Sequence, residues 1–180
     1  QRQGLFLESL DGILMGERLD AQGTVVDPLD EAALERDLAA LFVEAKPESL
    51  AVCLLHAYQN PLHERRVRAI AQRLLPDLKV SLSSEVMPEY REYERASTTV
   101  ANAYLGPRVS TYLQRMSDTL ATTGITVPLH MMQSNGGIIA WTEATRMPCR
   151  IVESGPAAGV IAAAHFGKLV GRKNLISFDM

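Results

Sequence analysis

The sequence lacks any uninterrupted apolar run approaching the roughly 18 residues that a membrane-spanning helix needs, and no charged-then-apolar leader opens it. It also lacks a dense basic cluster, since 18 lysines and arginines stand against 21 acidic residues, for a formal net charge of -3. The most basic segment, 65–68, is typical of the solvent-facing side of a helix. These absences predict a soluble, cytoplasmic protein that binds neither a membrane nor nucleic acid.

Cysteine is scarce as well, with only two residues in the chain. Cys53 lies inside an apolar run and Cys149 follows Pro148, so neither has metal-ligand spacing or a neighbouring second thiol. A cytoplasmic location also argues against a disulfide between them. We therefore interpret both as buried or incidental thiols.

Several signatures of catalysis are missing too: the sequence has no serine nucleophile elbow, Walker-type loop or dinucleotide fingerprint. Two weaker constellations remain. His56, His63 and Glu64 offer metal-ligand side chains, but the His-x-x-x-His spacing is absent, and helix capping explains the last two without a metal. The acidic residues of 89–94 beside Arg95 allow acid/base chemistry, although a solvated helix start is the commoner reason for such a run.

What the sequence does contain is apolar material for a substantial core, at 47% hydrophobic residues. Predicted strands alternate with helices, which indicates an α/β architecture with a largely parallel sheet. The predicted order begins with a hairpin over 12–26, a helix from its cap Asp30 to Lys46 and a strand over 49–56. A helix from its cap Asn60 to Pro76, a strand over 79–82 and two helices between 90 and 123, separated at Gly106-Pro107, follow. The remaining elements are a strand over 127–132, a turn over 134–137, a helix over 141–146, a brief strand at 151–152, and a last helix and strand.

Small residues recur every four positions in the last predicted helix, at Gly155, Gly159, Ala163 and Gly167. At this spacing they share one helical face that carries almost no side chain, so we expect a neighbouring element to approach it closely. Tight packing against a sheet or another helix explains the pattern. A helix at a nucleotide cleft, where two lobes meet, explains it too, and the two interpretations are compatible.

Asp179 follows the apolar residues Leu175, Ile176 and Phe178 at the end of the last predicted strand. Ligands of open α/β sheets bind beyond the carboxyl ends of strands, where an aspartate can hold a hydrated magnesium ion or orient water. A capping or turn role is the plain alternative. Because the sequence stops one residue later, at Met180, we expect the chain to be an internal fragment of a longer protein.

Six motifs follow one another along the chain. They are Leu54–Glu64, Val80–Pro88, Glu92–Arg95 with Thr98, Thr99 and Asn102–Tyr104, Met132–Gly137, Ser154–Gly159, and Ser177–Met180. Each is loose alone, but together and in this order they resemble the hydantoinase A/5-oxoprolinase family from Asp20 onward. Members of that family use ATP to open hydantoin or 5-oxoproline rings, or serve as subunits of acetone and acetophenone carboxylases.

The resemblance implies a ribonuclease H-like lobe of the actin-like ATPase kind, in which two lobes hold ATP between glycine-rich loops. It implies that 1–88 is the C-terminal part of the family's N-terminal region. Residues 89–180 are then the beginning of the ATPase domain, ending at its second phosphate strand. The implied cofactor-binding residues are Asn135, Gly136, Gly137, Gly155, Gly159 and Asp179, of which Asp179 also holds Mg through water.

The resemblance further implies that the parent protein opens a hydantoin-like or 5-oxoproline-like ring by phosphorylating the amide carbonyl with ATP, alongside a hydantoinase B-type partner subunit or domain. The Glu92–Arg95 motif favours hydantoin-like rings or carboxylase relatives over oxoproline. The fragment alone is expected to be inactive because both phosphate loops are expected outside it. Two alternatives stay open: a subunit of an ATP-dependent ketone carboxylase, and a non-catalytic interaction domain on the same scaffold.

Overall fold

The computed structural model describes residues 15–178, which form two compact units that divide between Ala103 and Tyr104. Helices alternate with short strands in both units, so the predicted α/β class is confirmed. The predicted largely parallel sheet is wrong, because the described strands form three separate two-stranded sheets of which one is parallel. The other two pairs are joined by short turns, which return the chain antiparallel.

The first unit begins with a β-hairpin. Strand β1 (Arg18–Leu19) pairs with β2 (Val25–Asp27), and the Asp20 carboxylate accepts hydrogen bonds from two amides of the connecting turn. The bond from the Thr24 amide is the main reason that the pKa of Asp20 is lowered. The predicted hairpin is confirmed, although its residues 12–14 lie outside the described residues.

Helix α1 (Glu31–Ala45) begins and ends where the sequence predicts. The Asp30 side chain accepts a hydrogen bond from the amide of Ala33 at 3.0 Å, which is the predicted N-cap. At the other end Lys46 adopts a left-handed backbone, with φ of 46°, and donates its amide hydrogen to the carbonyl of Phe42. Local capping therefore sets both ends.

A parallel strand pair forms the centre of the first unit. Strand β3 (Ser49–Val52) pairs in register with β4 (Lys79–Leu82), and helix α2 (Leu62–Leu74) is the crossover between them. The predicted start of α2 is wrong by one residue, because Pro61 is the N-cap and no side chain makes a capping bond. The Asn60 side chain, one residue earlier, accepts a hydrogen bond from the Leu62 amide at 3.1 Å. Strand β3 ends earlier than predicted because 54–60 bends into successive turns.

Apolar side chains from both helices and both strands form the core of this unit. Their burial provides its main stabilisation. The buried cluster consists of Leu34, Leu38, Val52, Leu54, Ala57, Val67, Ile70, Ala71, Leu78 and Leu82.

Helix α3 (Ser83–Val86) follows β4 directly, and α4 (Glu92–Thr122) is one continuous helix. The prediction of two helices separated at Gly106-Pro107 is therefore wrong. The φ of a proline suits a helix, and the 31-residue helix continues through Pro107. Gly124, with φ of 82°, provides the predicted left-handed residue after it. No helix among the described residues is both long and apolar enough to span a bilayer.

The second unit contains a hairpin and a C-terminal helix. Strand β5 (His130–Met132) pairs antiparallel with β6 (Ile138–Ala140), and α5 (Trp141–Arg146) follows as predicted. A 3-10 helix (Pro148–Ile151) then leads to α6 (Ser154–Leu169).

Two strands predicted for the second unit are not formed. The brief strand expected at 151–152 is replaced by the end of the 3-10 helix, whose first residue, Pro148, has a φ fixed near helical values. The last strand is absent over 174–178, where Ile176 is 95% exposed. A strand needs a neighbour to pair its backbone groups, and no described strand lies beside this segment.

One buried carboxylate joins the carboxyl ends of β3 and β4. Glu64 has no exposed surface and accepts hydrogen bonds from the Leu54 amide, the Ser83 hydroxyl and the Ser84 amide. The carbonyl of Leu54 in turn accepts a hydrogen bond from the buried guanidinium of Arg95 at 2.6 Å. The Leu54 residue is therefore held by a buried anion on one side and a buried cation on the other.

We predict that Glu64→Gln lowers the free energy of unfolding of the chain by about 1–3 kcal/mol, because an NH2 group then faces donors that need an acceptor. Urea denaturation measures the change. Glu44→Gln is the matched control, since Glu44 is exposed on α1 and its loss is expected to stay within about 0.5 kcal/mol. Equal unfolding midpoints for the two variants would contradict this role of Glu64.

We further predict opposite effects from two Gly→Ala changes in the second unit. Gly136 has φ of 85°, and a Cβ there would lie 2.6 Å from Cδ1 of Ile161, so Gly136→Ala destabilises the unit by at least about 1–2 kcal/mol. Gly159 lies within α6 with nothing within 4 Å of its Cβ position, so Gly159→Ala stabilises by about 0.5–1 kcal/mol. Thermal unfolding of both variants checks the signs, and a tolerated Gly136→Ala would show that this turn does not contact α6.

Candidate functional site

The turn between β5 and β6 is fixed against the start of α6. The Ser134 amide donates to the carbonyl of Arg150 at 2.7 Å, and the Ser134 hydroxyl accepts a hydrogen bond from the amide of Glu153 at 3.0 Å. Within the turn the Asn135 side chain accepts from the Gly137 amide at 2.9 Å. This turn and the first turns of α6 together form the candidate site, which we call the turn–helix junction.

The junction brings together five of the six residues that the sequence predicts for cofactor binding. Asn135, Gly136 and Gly137 are in the turn, and Gly155 and Gly159 are in the adjoining part of α6. The sixth residue, Asp179, lies outside the described residues. Ser134 was not among the predicted site residues, although its place directly before the Asn-Gly-Gly turn, where hydroxyl side chains often bond nearby amides, is the signal that points to it.

The small-residue face of α6 is open at the junction. No atom lies within 4 Å of the Cβ positions of Gly155 and Gly159, so the expected close neighbour is absent there within residues 15–178. At Gly167 it is present, because the Leu175 side chain and the Arg172 carbonyl occupy that position. The chain reverses after the helix at a left-handed glycine and packs on this end alone.

The first turn of α6 offers the backbone amides of Ser154 and Gly155, whereas Pro156 has no N–H and Glu153 puts a carboxylate at the N-cap. The amides of a first helical turn have no intrahelical partners, and the helix dipole makes this end positive. No side chain caps these amides in α6, whose flanking residue Glu153 makes no capping hydrogen bond. A phosphate group fits such donors, and Gly155 leaves the backbone open to it.

The alternative metal site at His56, His63 and Glu64 is not formed. Nδ1 of His63 lies 2.6 Å from the carboxylate of Glu17, and both side chains are almost fully buried. Glu64 uses its two oxygens on the strand ends instead. Among residues 15–178, no three histidine, cysteine, aspartate or glutamate side chains converge as metal ligands would.

The acidic run before α4 is a solvated helix start, as the sequence favours. Glu92 and Glu94 are exposed, and the ion pair of Arg91 with Glu94 at 3.8 Å is exposed as well. Such pairs contribute little. Arg95 differs, because its side chain is fully buried and its Nε and Nη1 atoms have no hydrogen-bond partner.

Sequence reasoning missed the buried role of Arg95. Its signal is a polar stripe along α4, since Arg95, Thr99 and Asn102 recur at helical spacing and all three are buried. The Arg95 guanidinium also lies 5.4 Å from the centre of the Tyr58 ring, a cation–π contact. Arg95 therefore faces the loop that follows β3, whereas Asn102 donates to the Ser81 hydroxyl in β4 at 3.0 Å.

Neither cysteine has the properties of a nucleophile. Both are free thiols, and burial raises the pKa of Cys53 and of Cys149. Because the thiolate is the reactive form, both side chains stay protonated at neutral pH.

Known relatives match nearly all of this chain. It is 34% identical over 166 residues to caprolactamase subunit alpha of Pseudomonas jessenii, covering 92% of this chain and 24% of that protein. It is 36% identical over 173 residues to 5-oxoprolinase of Saccharomyces cerevisiae, covering 94% of this chain and 13% of that protein. The chain therefore spans a quarter or less of the length of these relatives.

Solved structures agree with these matches. A nucleotide-free structure of acetone carboxylase, described as acting by ATP-dependent acetone carboxylation, superposes with a TM-score of 0.79 at 33% identity, over 89% of this chain and 23% of that one. The crystal structure of the ATP-dependent caprolactamase from Pseudomonas jessenii gives 0.77 at 33% identity, over 92% of this chain and 24% of that one.

Two family models divide the chain between them. The model of the hydantoinase/oxoprolinase N-terminal region matches residues 9–75, and the hydantoinase/oxoprolinase model matches residues 95–180. With the motifs, the fold and the relatives in agreement, the chain belongs to the hydantoinase/oxoprolinase family.

Proposed function

We propose that the protein containing this chain is an ATP-dependent hydrolase that opens a cyclic amide, of the hydantoin or 5-oxoproline kind. The observation that carries the proposal is the match to two ring-opening relatives, caprolactamase subunit alpha and 5-oxoprolinase, over more than nine-tenths of this chain. Both are named for opening cyclic amides. An unactivated amide carbonyl is a poor electrophile, so its hydrolysis gains from activation by ATP.

ATP is the cofactor that the proposal needs, and the turn–helix junction is the part of this chain that would hold it. Two solved relatives from different reactions are both described as ATP-dependent. The uncapped amides of α6 and the open backbone at Gly155 and Gly159 suit phosphate oxygens. When bound, ATP supplies the phosphoryl group that turns the carbonyl oxygen into a leaving group. The Mg site at Asp179, on the actin-like scaffold that the motifs imply, stays a prediction.

In this proposal the chain's own residues position the bound ATP. The Asn135–Gly137 hydrogen bond and the two bonds of Ser134 fix the turn in one conformation. A rigid turn keeps its amide donors oriented before the ligand arrives, which lowers the cost of ordering them. By itself the chain is proposed to be inactive.

A second candidate is a subunit of an ATP-dependent ketone carboxylase. The specific observation in its favour is the TM-score of 0.79 to acetone carboxylase, together with 33% identity over 168 residues to the acetone carboxylase beta subunit of Xanthobacter autotrophicus. A carboxylase would phosphorylate an enolate oxygen instead of an amide oxygen. Its turnover would require bicarbonate.

The partner and the setting are proposed on the same grounds. Two relatives are named as subunits, so we propose a hydantoinase B-type partner subunit or domain, in the cytoplasm. The division into an N-terminal region over 1–88 and the start of the ATPase domain over 89–180 stays a prediction. If the full-length protein turns over none of the substrates, the result supports the alternative of a non-catalytic interaction domain on the same scaffold.

Carbonyl-18O labelling of the substrate tests the proposal in the full-length protein with its partner. The substrates to be tested are hydantoin, 5-oxoproline and caprolactam, each supplied with ATP. We predict that the labelled oxygen appears in inorganic phosphate, because the carbonyl oxygen leaves bonded to phosphorus. Mass spectrometry of the released phosphate measures this.

Acetone with bicarbonate is the control reaction for the second candidate. ATP consumption that requires acetone and bicarbonate, with no lactam opened, would contradict the proposed hydrolase function and support the carboxylase function. Ring opening that proceeds without ATP, or that leaves all the label in the amino acid product, would contradict the proposed chemistry.

A further inference from the structure

The loop that follows β3 contains a histidine in a strained backbone conformation. His56 has φ of 58°, in the left-handed region, and Lys46 is the other non-glycine residue with positive φ within the described part of the chain. Lys46 ends a helix, where this conformation is common, whereas His56 does not. A non-glycine residue in this region costs roughly 1–3 kcal/mol and persists only where its surroundings fix it, often at functional sites.

Three anchors fix the loop on both sides of His56. The Leu54 amide donates to the buried carboxylate of Glu64 at 3.0 Å, and the Leu54 carbonyl accepts from Arg95 at 2.6 Å. Beyond the histidine, the side-chain amide of Asn60 donates to the carbonyl of Gly23 at 2.8 Å. These contacts force the backbone between Leu54 and Asn60 to turn at His56.

The His56 side chain is held by Tyr58. Its Nδ1 lies 3.4 Å from the tyrosine hydroxyl, and the two rings meet edge to face with centroids 6.0 Å apart. Tyr58 in turn lies against the buried guanidinium of Arg95. Both rings are partly exposed.

The remaining nitrogen of His56 is available to a ligand. The hydrogen bond of the His56 ring to Tyr58 is made through Nδ1, which leaves Nε2 to a ligand. When the tyrosine hydroxyl donates to Nδ1, Nε2 carries the hydrogen and donates to a carbonyl oxygen. In the other tautomer, Nε2 accepts a hydrogen from an N–H group. A cyclic amide presents a carbonyl and an N–H side by side, so either tautomer finds a partner on it.

The position of the loop agrees with this chemistry. His56 follows β3 at the carboxyl end of the parallel β3–β4 pair, and ligands of open α/β sheets bind beyond the carboxyl ends of parallel strands. We propose that Nε2 of His56, positioned by Tyr58, contacts the amide group of the cyclic substrate. The ring class rests on the proposed function, whereas the contact rests on the geometry of the loop.

His56→Asn in the full-length protein with its partner tests the contact. Asparagine tolerates positive φ, so the loop keeps its shape while the imidazole is lost. We expect kcat/KM for the lactam to fall by about tenfold, the loss that one hydrogen bond to the substrate accounts for. Calorimetry should show at least tenfold weaker lactam binding. Tyr58→Phe, which keeps its ring beside Arg95, should have a smaller effect in the same direction.

His165→Asn is the matched control, because His165 is exposed on α6 and its ring contact is with the adjacent Phe166. It should leave kcat/KM unchanged. Wild-type lactam binding and turnover by His56→Asn would overturn the proposed contact and leave the hydrolase intact. If the wild-type protein binds no cyclic amide in the panel, the hydrolase and the contact both fail, so the two failures are distinguishable.

Discussion

A buried carboxylate at the ends of two parallel strands is the interaction on which the first unit depends. Glu64 takes the Leu54 amide from one strand end and the Ser83 and Ser84 groups from the other, so a single side chain ties the crossover helix to both strands. Burying a carboxylate costs free energy unless donors surround it. These donors offset that cost, and they also set where β3 stops and the His56 loop begins.

The elements that sequence predicts well are those determined by local chemistry. Asp30 caps its helix because its side-chain oxygen reaches an amide three residues on, and such a contact needs no knowledge of the fold. Glu64 was interpreted as a first-turn carboxylate of its helix and Arg95 as part of a solvated helix start, because nothing nearby in sequence shows that they are buried. Their partners lie 10 and 41 residues away, so only the folded chain brings them together. The predicted break at Pro107 was wrong as well, because the φ of proline is compatible with a helix and α4 continues through it.

In the candidate sites, too, contacts between residues close in sequence were predictable and long-range contacts were not. The Asn135–Gly137 turn and the α6 glycines are close in sequence, and the structure joins them through the hydrogen bonds of Ser134. The left-handed backbone of His56 has no sequence signal at all, because histidine does not demand that conformation and the anchors that impose it come from Gly23, Glu64 and Arg95. Family membership was readable from the ordered motifs, while the reaction stays a proposal.

The decisive measurement is a double-mutant cycle on Glu64→Gln and Arg95→Met, with the free energy of unfolding taken from urea denaturation. Both side chains hold Leu54, one through its amide and the other through its carbonyl. Loss of either side chain therefore weakens the hydrogen bond that the other makes with Leu54. We expect the two changes to be non-additive, with an interaction free energy of about 1 kcal/mol or more. Additivity within about 0.5 kcal/mol would show that the buried anion and cation act independently and that they do not hold the strand end together.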